Sequence, residues 1–119
     1  MDKLPSIGPS FANRIIKYRQ LLGGYFTKEQ LLEVYGLDTI MYLKIENLIS
    51  VDPSLVSKIA INLADINIMG KHPYIGYKKA DKIIDYRNKK GPYKNISEIK
   101  DIVGVESYNR LLPYLKLWD

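Results

Sequence analysis

The stretch PYIGYKKADKIIDYR, residues 73–87, decides the fold because the chain contains it twice. Residues 5–19 read PSIGPSFANRIIKYR, and each of them aligns with the residue 68 positions further along the chain. The residues of the first copy that recur unchanged at this offset are Pro5, Ile7, Gly8, Ala12, Ile15, Ile16, Tyr18, Arg19, Gly23, Tyr25 and Gly36. A fixed period of this length indicates two copies of one supersecondary unit. The unit opens with an Ile-Gly turn that leads into an amphipathic helix.

The first copy continues with the start and stop signals of short helices. Gly23 and Gly24 follow the first helix in the position of a C-terminal cap. Thr27 with Gln30 three residues later forms a capping box for a second helix. Asp38 can cap a third helix. We therefore expect helices throughout the repeat and no sheet.

The second copy follows the same order, with a helix over 78–90, a capping box at Asn95 and Glu98, and a turn at Gly104. Near its end the register changes by one residue, so that Ile45 matches Leu112. The side chains expected to be buried in the last helix of each copy are Ile40, Leu43, Ile45 and Leu48, and Tyr108, Leu111, Leu112 and Leu115.

The second copy also has a leading segment that the first copy does not match. Asn62, with Asp65 three residues later, predicts a helix over about 63–71. The first copy has only residues 1–4 in the corresponding place, which predicts a fragment or a divergent start. We assign 1–52 to a first repeat without its leading helix, 53–60 to a packed linker, and 61–119 to a second repeat.

Composition and charge narrow the class of partner. The 119 residues carry a net charge of +5, and the pI is about 9.3, which favours an acidic partner, with nucleic acid first. Residues 1–60 have a net charge of +1 and residues 61–119 of +4, so the second repeat should dominate electrostatic binding.

Several classes of site are disfavoured by the sequence. There is no cysteine and one histidine, His72, so neither a disulfide framework nor a metal site is expected. No catalytic motif or phosphate loop is visible, and neither an enzyme activity nor a cofactor is expected. No run of 18 apolar residues predicts a membrane span.

The repeated Leu4-Pro5-Ser6-Ile7-Gly8 turn and the helix after it resemble the helix-hairpin-helix fold. With Leu31, Val34, Gly36 and Leu37 completing a second hairpin, each copy is most similar to the double helix-hairpin-helix module of ComEA-type competence DNA receptors. The resemblance implies an all-α, SAM-like tandem of two such modules with about seven helices. It also implies duplex DNA binding without sequence preference.

In that family, phosphates are bound by hairpin N–H groups and by nearby cations. Carried onto this chain, the implied DNA-binding residues are Ser6, Ile7, Gly8, Ser10, Arg14, Lys17, Ile75, Gly76, Lys78, Lys79 and Lys82. Arg19 and Arg87 are expected to hold the modules together through ion pairs.

Some positions depart from the family pattern. The first glycine of the hairpin is replaced by Ser6 in one copy and by Tyr74 in the other. Tyr74 is bulky enough to crowd a phosphate, which predicts that Tyr74→Gly tightens binding. Asp38 and Glu106 stand where the second hairpins often have a glycine, and a carboxylate there repels phosphate. The second hairpins are therefore predicted to be structural.

Two functions remain open from the sequence. The first is a DNA-binding module, expected to be monomeric and to make no membrane contact, and extracytoplasmic if it serves DNA uptake as the resemblance implies. The alternative is a protein-interaction or scaffold module that kept the fold and lost DNA binding.

Overall fold

The computed structural model describes residues 9–119. It has six α-helices and five short 3-10 helices in this part of the chain, which confirms the all-α prediction. The chain divides into two compact units, Met1–Val56 and Ser57–Asp119. The division falls inside 53–60, the segment that the sequence assigned to a linker.

In its described part, residues 9–56, the first unit has two α-helices and three 3-10 helices. Helix α1 (Pro9–Leu22) is followed by the 3-10 helix Lys28–Glu33, then by α2 (Thr39–Ile45) and the 3-10 helices Glu46–Leu48 and Pro53–Leu55. The signals predicted for these boundaries are present. The capping box of Thr27 and Gln30 forms, and the Asp38 carboxylate accepts the Met41 N–H at 2.8 Å. The chain leaves α1 through Gly23 and Gly24, both with positive φ.

The second unit contains four α-helices and a short strand at each end. In chain order these are β1 (Ile59–Ala60), α3 (Ile66–Gly70), α4 (Gly76–Lys90), the 3-10 helix Ile96–Ile99, α5 (Lys100–Val103), α6 (Val105–Leu111), the 3-10 helix Leu112–Tyr114 and β2 (Leu115–Lys116). The strands pair in parallel. The expectation of no sheet was therefore wrong, because of this one pair of strands. The pairing gives acceptors to the N–H groups of the extended segment before α3. For example, the Ile61 N–H donates to Lys116 O at 2.9 Å.

The leading helix of this unit is shorter than predicted. It is α3, five residues long, and its cap is Asp65, which accepts the Ile68 N–H at 2.9 Å. Asn62 does not start a helix because its amide is used elsewhere. It donates to Tyr93 O at 3.0 Å and accepts the Tyr93 N–H at 2.7 Å. The two bonds fix residue 62 in a turn beside the loop that follows α4.

A tyrosine clamp closes each unit in the same way. The Tyr25 hydroxyl donates to Ile15 O at 2.8 Å, and the Tyr93 hydroxyl donates to Ile83 O at 2.7 Å. The two donors are 68 residues apart in sequence, and so are the two acceptors, as the repeat requires. Both tyrosines are buried. Burial, with the stacked Tyr86 ring as a smaller cause, raises the pKa of Tyr93 to about 12.

The register changes after the second glycine turn by two residues rather than by one. Helix α6 begins and ends 66 residues after α2, so Ile45 corresponds to Leu111 and not to Leu112. Ile45 and Leu111 are both fully buried, whereas Leu112 is 44% exposed. The deletion therefore lies between Gly104 and α6, in the place that Leu37 and Asp38 occupy in the first unit.

The buried face of α2 also differs from the prediction. Tyr42, Ile45 and Ile49 are buried, while Ile40 and Leu43 are 67% and 59% exposed. Leu48 is exposed as well. The prediction for Leu111 and Leu115 of the second unit is confirmed. Short helices that pass into 3-10 turns do not keep one apolar face over their whole length.

Candidate functional site

His72 accepts three N–H groups of the hairpin between α3 and α4. Its carbonyl oxygen accepts the N–H groups of Ile75 at 3.0 Å and Gly76 at 3.1 Å. Its imidazole Nδ1 accepts the Tyr74 N–H at 3.1 Å. The sequence predicted that Ile75 and Gly76 present N–H groups to a phosphate, but both groups are bonded within the hairpin. The N–H groups that remain for a ligand are those of the next residues, Tyr77 and Lys78. N–H groups in the first turn of an α-helix have no acceptor within the helix.

Gly76 leaves the approach to these donors open. Its φ is +78°, a value that favours glycine. A Cβ at this position would have no atom within 4 Å. Ile75, the residue before α4, offers no side-chain cap to the first turn. The start of α4, a helix of 15 residues, therefore presents unsatisfied N–H groups and the positive end of the helix dipole to the surroundings.

Two of the three predicted lysines line this end of α4. Lys78 and Lys82 are exposed and one helical turn apart, so they lie on the same face of the helix. The acidic residues between and after them are also exposed, and Asp85 is paired with Lys89 at 3.1 Å. Lys71, which the sequence analysis did not select, is exposed just before the hairpin. The sequence feature that could have selected Lys71 is its position next to the turn, since it does not lie on α4.

The third lysine has a structural role. The Lys79 ammonium donates to Val103 O at 3.0 Å and to Ser107 Oγ at 3.3 Å, which ties α4 to the second glycine turn. Arg14 does the same in the first unit, where Nη1 donates to Tyr35 O at 3.3 Å. Tyr35 and Val103 are equivalent residues of the repeat. Arg14 and Lys79 are thus committed to the fold, contrary to the assignment of their charges to DNA.

The guanidinium of Arg14 is also held by two aromatic rings. Its Cζ lies 5.1 Å from the centroid of Phe11 and 5.2 Å from that of Tyr35. These cation–π contacts keep the charge over Gly36, where an added Cβ would lie 3.0 Å from Arg14 Nη1. This glycine turn is covered by a side chain, whereas the turn at Gly76 is open.

The remaining candidates of the first unit are only partly within the described residues. Ser10 and Lys17 are exposed on α1. Ser6, Ile7 and Gly8 lie outside the described residues, so the first hairpin adds no geometry to the site.

Tyr74 does not crowd the hairpin. Its side chain is buried and packs against the rings of His72 and Tyr114, with centroids 5.4 Å and 6.1 Å away. The expectation that this ring blocks a phosphate is wrong, because the ring points into the unit. Tyr77, by contrast, is exposed, and its ring lies directly over Gly70, where an added Cβ would clash.

Arg87 holds the second unit together, though not by an ion pair. Its Nη1 donates to Ile61 O and Ala64 O, both at 3.0 Å. Arg19, its equivalent, is exposed. The backbone carbonyls that Arg87 binds belong to the segment before α3, which has no match in the first repeat.

Of the two predicted carboxylates, Asp38 lies in the second hairpin, whereas Glu106 lies inside α6, because the second unit has no residues equivalent to Leu37 and Asp38. Asp38 caps α2 in the first unit, so its own carboxylate satisfies the first turn of that helix. Glu106 accepts a hydrogen bond from Arg110 at 2.9 Å.

The charge of the chain is concentrated in the unit that carries the open hairpin. Residues 1–56 contain six basic and six acidic residues, while residues 57–119 contain twelve basic and seven acidic ones. The net charges are therefore 0 and +5, a sharper contrast than the sequence halves suggested.

Across residues 9–119 the structure places no three histidine, aspartate or glutamate side chains where they could share a metal ion. None of the helices in this range is long and apolar enough to cross a membrane.

Comparison with known proteins agrees with this geometry. A family model described as the helix-hairpin-helix motif matches the chain twice, over residues 1–50 and 56–114. No curated protein and no solved structure matches the chain.

Proposed function

Because this chain belongs to the helix-hairpin-helix family, whose motif generally binds nucleic acid, we propose that it binds duplex DNA through the phosphate backbone without reading bases. The second unit carries most of the affinity. The phosphate lies at the start of α4, against the N–H groups of Tyr77 and Lys78, with the ammonium groups of Lys78 and Lys82 beside it.

The open turn at Gly76 is the observation that carries this proposal. A left-handed glycine, an uncapped helix start and two exposed lysines meet at one place in the unit with the net charge of +5. A helix start of this kind favours an anion because its N–H groups and its dipole both point at the ligand. Contacts to phosphate fix position and carry no sequence information.

The salt dependence of binding follows from the number of available cations. Lys79 is committed to the fold, so Lys78, Lys82 and Lys71 remain near the turn. Two or three cation–phosphate contacts correspond to a slope of log K against log salt of about −1.8 to −2.7.

The test compares two double variants that change the charge equally. Lys78→Glu with Lys82→Glu reverses the charges beside Gly76. Lys90→Glu with Lys94→Glu reverses two exposed charges at and beyond the other end of α4. Lys78 and Lys90 are about 18 Å apart along the helix, roughly twice the Debye length at physiological salt. Binding to a random-sequence duplex is measured by fluorescence anisotropy over about 50–200 mM salt.

We expect the first pair to abolish binding and to flatten the salt slope, and the second pair to retain most of the affinity. Equal losses in the two variants would mean that only net charge matters and that the Gly76 turn is not the site. No salt-dependent binding by the unmodified chain would exclude the DNA function.

A protein-interaction role is the second candidate, favoured by the surface of the first unit. This unit has no net charge and exposes Ile40, Leu43 and Tyr35, the last by 82%. Exposed apolar side chains on a unit without net charge suit a protein partner better than a nucleic acid. If the chain shows no DNA binding, this role takes its place.

Further parts of the proposal follow the resemblance to competence DNA receptors. The chain acts as a monomer without enzyme activity, in DNA uptake and outside the cytoplasm. Loss of transformation in cells that carry the charge-reversed Lys78 and Lys82 pair tests this assignment.

A further inference from the structure

Tyr77 is an exposed aromatic residue at the open start of α4. It is the second residue of this helix and is 51% exposed, whereas Tyr74 of the same hairpin is buried. Side chains on a helix lean toward its N-terminus. The ring is therefore at the same end of α4 as the N–H groups of Tyr77 and Lys78, which the proposed function assigns to a phosphate.

The ring rests on Gly70 of α3. An added Cβ at this glycine would lie 2.7 Å from Tyr77 Cγ and still closer to two other ring carbons. A Cβ cannot stay at such a distance, so only glycine lets the ring keep this place. The backbone alone does not require glycine, because the φ of Gly70, unlike that of Gly76, is not positive. The space at residue 70 thus serves the ring and not the path of the chain.

One side of the ring remains available to a ligand. The side on Gly70 is covered by α3, and the exposed surface belongs to the side that faces away from it. Ile66 lies one helical turn before Gly70, is 37% exposed, and extends the apolar surface next to the ring. Because packing on Gly70 already holds the ring, a ligand that stacks on it has less side-chain freedom to remove.

Positive charge surrounds this flat apolar surface. Lys78 is next to Tyr77 in sequence, and Lys71 and Lys82 are exposed before and after them. The same unit carries the net charge of +5. An aromatic ring beside cations is the combination that holds single-stranded nucleic acid, because the cations bind the phosphates while the bases stack on the ring.

We propose that Tyr77 stacks on an unpaired base next to the bound phosphate, and so gives the second unit affinity for single-stranded DNA. The inference rests on the proposed function, because the strand is held at the same phosphate site. It concerns the second unit alone, since Asp2 and Pro9 are the residues of the first repeat that align with Gly70 and Tyr77. The stacking does not depend on sequence, because every base has a π-face.

The pairing state of the DNA decides whether the ring can act. In an intact duplex the faces of each base are covered by its neighbours in the stack, and only base edges can be reached from the grooves. Opening a base step for a side chain costs free energy, whereas a single strand or a gap already offers a base face. Tyr77 should therefore contribute to the binding of single strands and not to the binding of intact duplex.

The test compares Tyr77→Leu with Tyr77→Phe. Leucine still covers Gly70 with an apolar side chain but has no π-face, whereas phenylalanine keeps the ring. Each chain is titrated into a fluorescent random-sequence single strand of about 15 nucleotides, a length that one binding site of this kind can fill. Unlabelled relaxed circular duplex, which has no ends, then competes for the protein. Anisotropy measures both affinities, and circular dichroism measures the folding of each variant.

We expect Tyr77→Leu to bind the single strand at least about fivefold more weakly than the unmodified chain, and the circular duplex with an unchanged Kd. Tyr77→Phe should match the unmodified chain on both. Gly70→Ala, whose methyl group takes the place of the ring, should reproduce the loss on the single strand. The ring protons of Tyr77 should also shift upfield in NMR spectra when the unmodified chain binds the strand, because they then lie over a base.

Two results would overturn the inference. The first is an equal loss on both kinds of DNA with Tyr77→Leu, and the second is unchanged single-strand binding by this variant. Neither affects the proposed function, which depends on binding of the circular duplex by the unmodified chain. If the unmodified chain binds the single strand but not the circle, the duplex function fails, and the two Tyr77 variants still decide the inference. If it binds neither, both are wrong.

Discussion

Gly76→Ala tests the open turn with the smallest possible change. The backbone at residue 76 has a φ of +78°, and the added methyl group would meet no atom within 4 Å. The cost is therefore conformational and not steric, about 1–2 kcal/mol for an L-residue in the left-handed region. In a cooperative unit of 60–100 residues, each 1 kcal/mol lowers the Tm by about 4–8 °C.

This loss of stability does not by itself affect DNA binding. A small domain with a free energy of unfolding of about 5 kcal/mol, reduced by 2 kcal/mol, is still about 99% folded. The methyl group, however, stands in the space through which a phosphate reaches the N–H groups of Tyr77 and Lys78. We expect Kd for a random-sequence duplex to rise at least about tenfold, equivalent to 1.4 kcal/mol. Anisotropy measures the Kd, and circular dichroism on the same sample measures the Tm.

Gly91→Ala is the control for strain. Gly91 has a φ of +87° and is also surrounded by open space, but it lies at the other end of α4. With a ψ of −178°, Gly91 lies in a backbone region that essentially only glycine adopts, so its alanine variant should lower the Tm at least as much as Gly76→Ala and leave the Kd unchanged. If Gly76→Ala keeps the Kd of the unmodified chain, or if both alanine variants weaken binding equally, the turn at Gly76 does not bind phosphate.

Two further predictions concern buried tyrosines. Tyr74→Gly removes a ring packed on His72 and Tyr114, so it should lower the free energy of unfolding in urea by about 3–5 kcal/mol; tighter DNA binding by this variant would contradict the inward packing. The pKa of Tyr93 is raised to about 12, above the value near 10 of an unfolded chain, so its contribution to stability is complete below pH 10 and is lost as the pH rises through 12. Urea midpoints measured across this range should decline less steeply for Tyr93→Phe, and an identical decline would show that the clamp of Tyr93 does not control alkaline unfolding.

The repeat made much of the fold predictable. The offset of 68 residues, the capping boxes and the glycine turns located the helices, and the tyrosine clamps recur at the same offset. Helix lengths were less predictable where a side chain had two uses. Asn62 has the residue type of a helix cap, but its amide binds the backbone of Tyr93, and the helix begins at Ile66 instead.

The candidate site was predicted in outline but not in its hydrogen bonds. Gly76, Lys78 and Lys82 were selected from the motif, and they lie together at an open helix start. Lys79 and Arg14 bind the carbonyls of residues that are equivalent in the two repeats. The sequence could not show this, because Lys79 and Arg14 themselves occupy different positions of the repeat. Nor could it show that Tyr74 turns inward. Side-chain direction at a turn depends on tertiary packing that the local pattern does not contain.

The tyrosine clamp has a consequence for how two similar repeats fold in one chain. Tandem copies are prone to pair with the wrong half, since an element of one copy fits the other. In each unit the clamp joins residues only ten apart in sequence, Ile15 to Tyr25 and Ile83 to Tyr93. A loop of about ten residues closes in 10–100 ns, far sooner than segments from the two repeats can meet and pack. Each copy can therefore complete its own long helix and clamp before exchange with its twin competes.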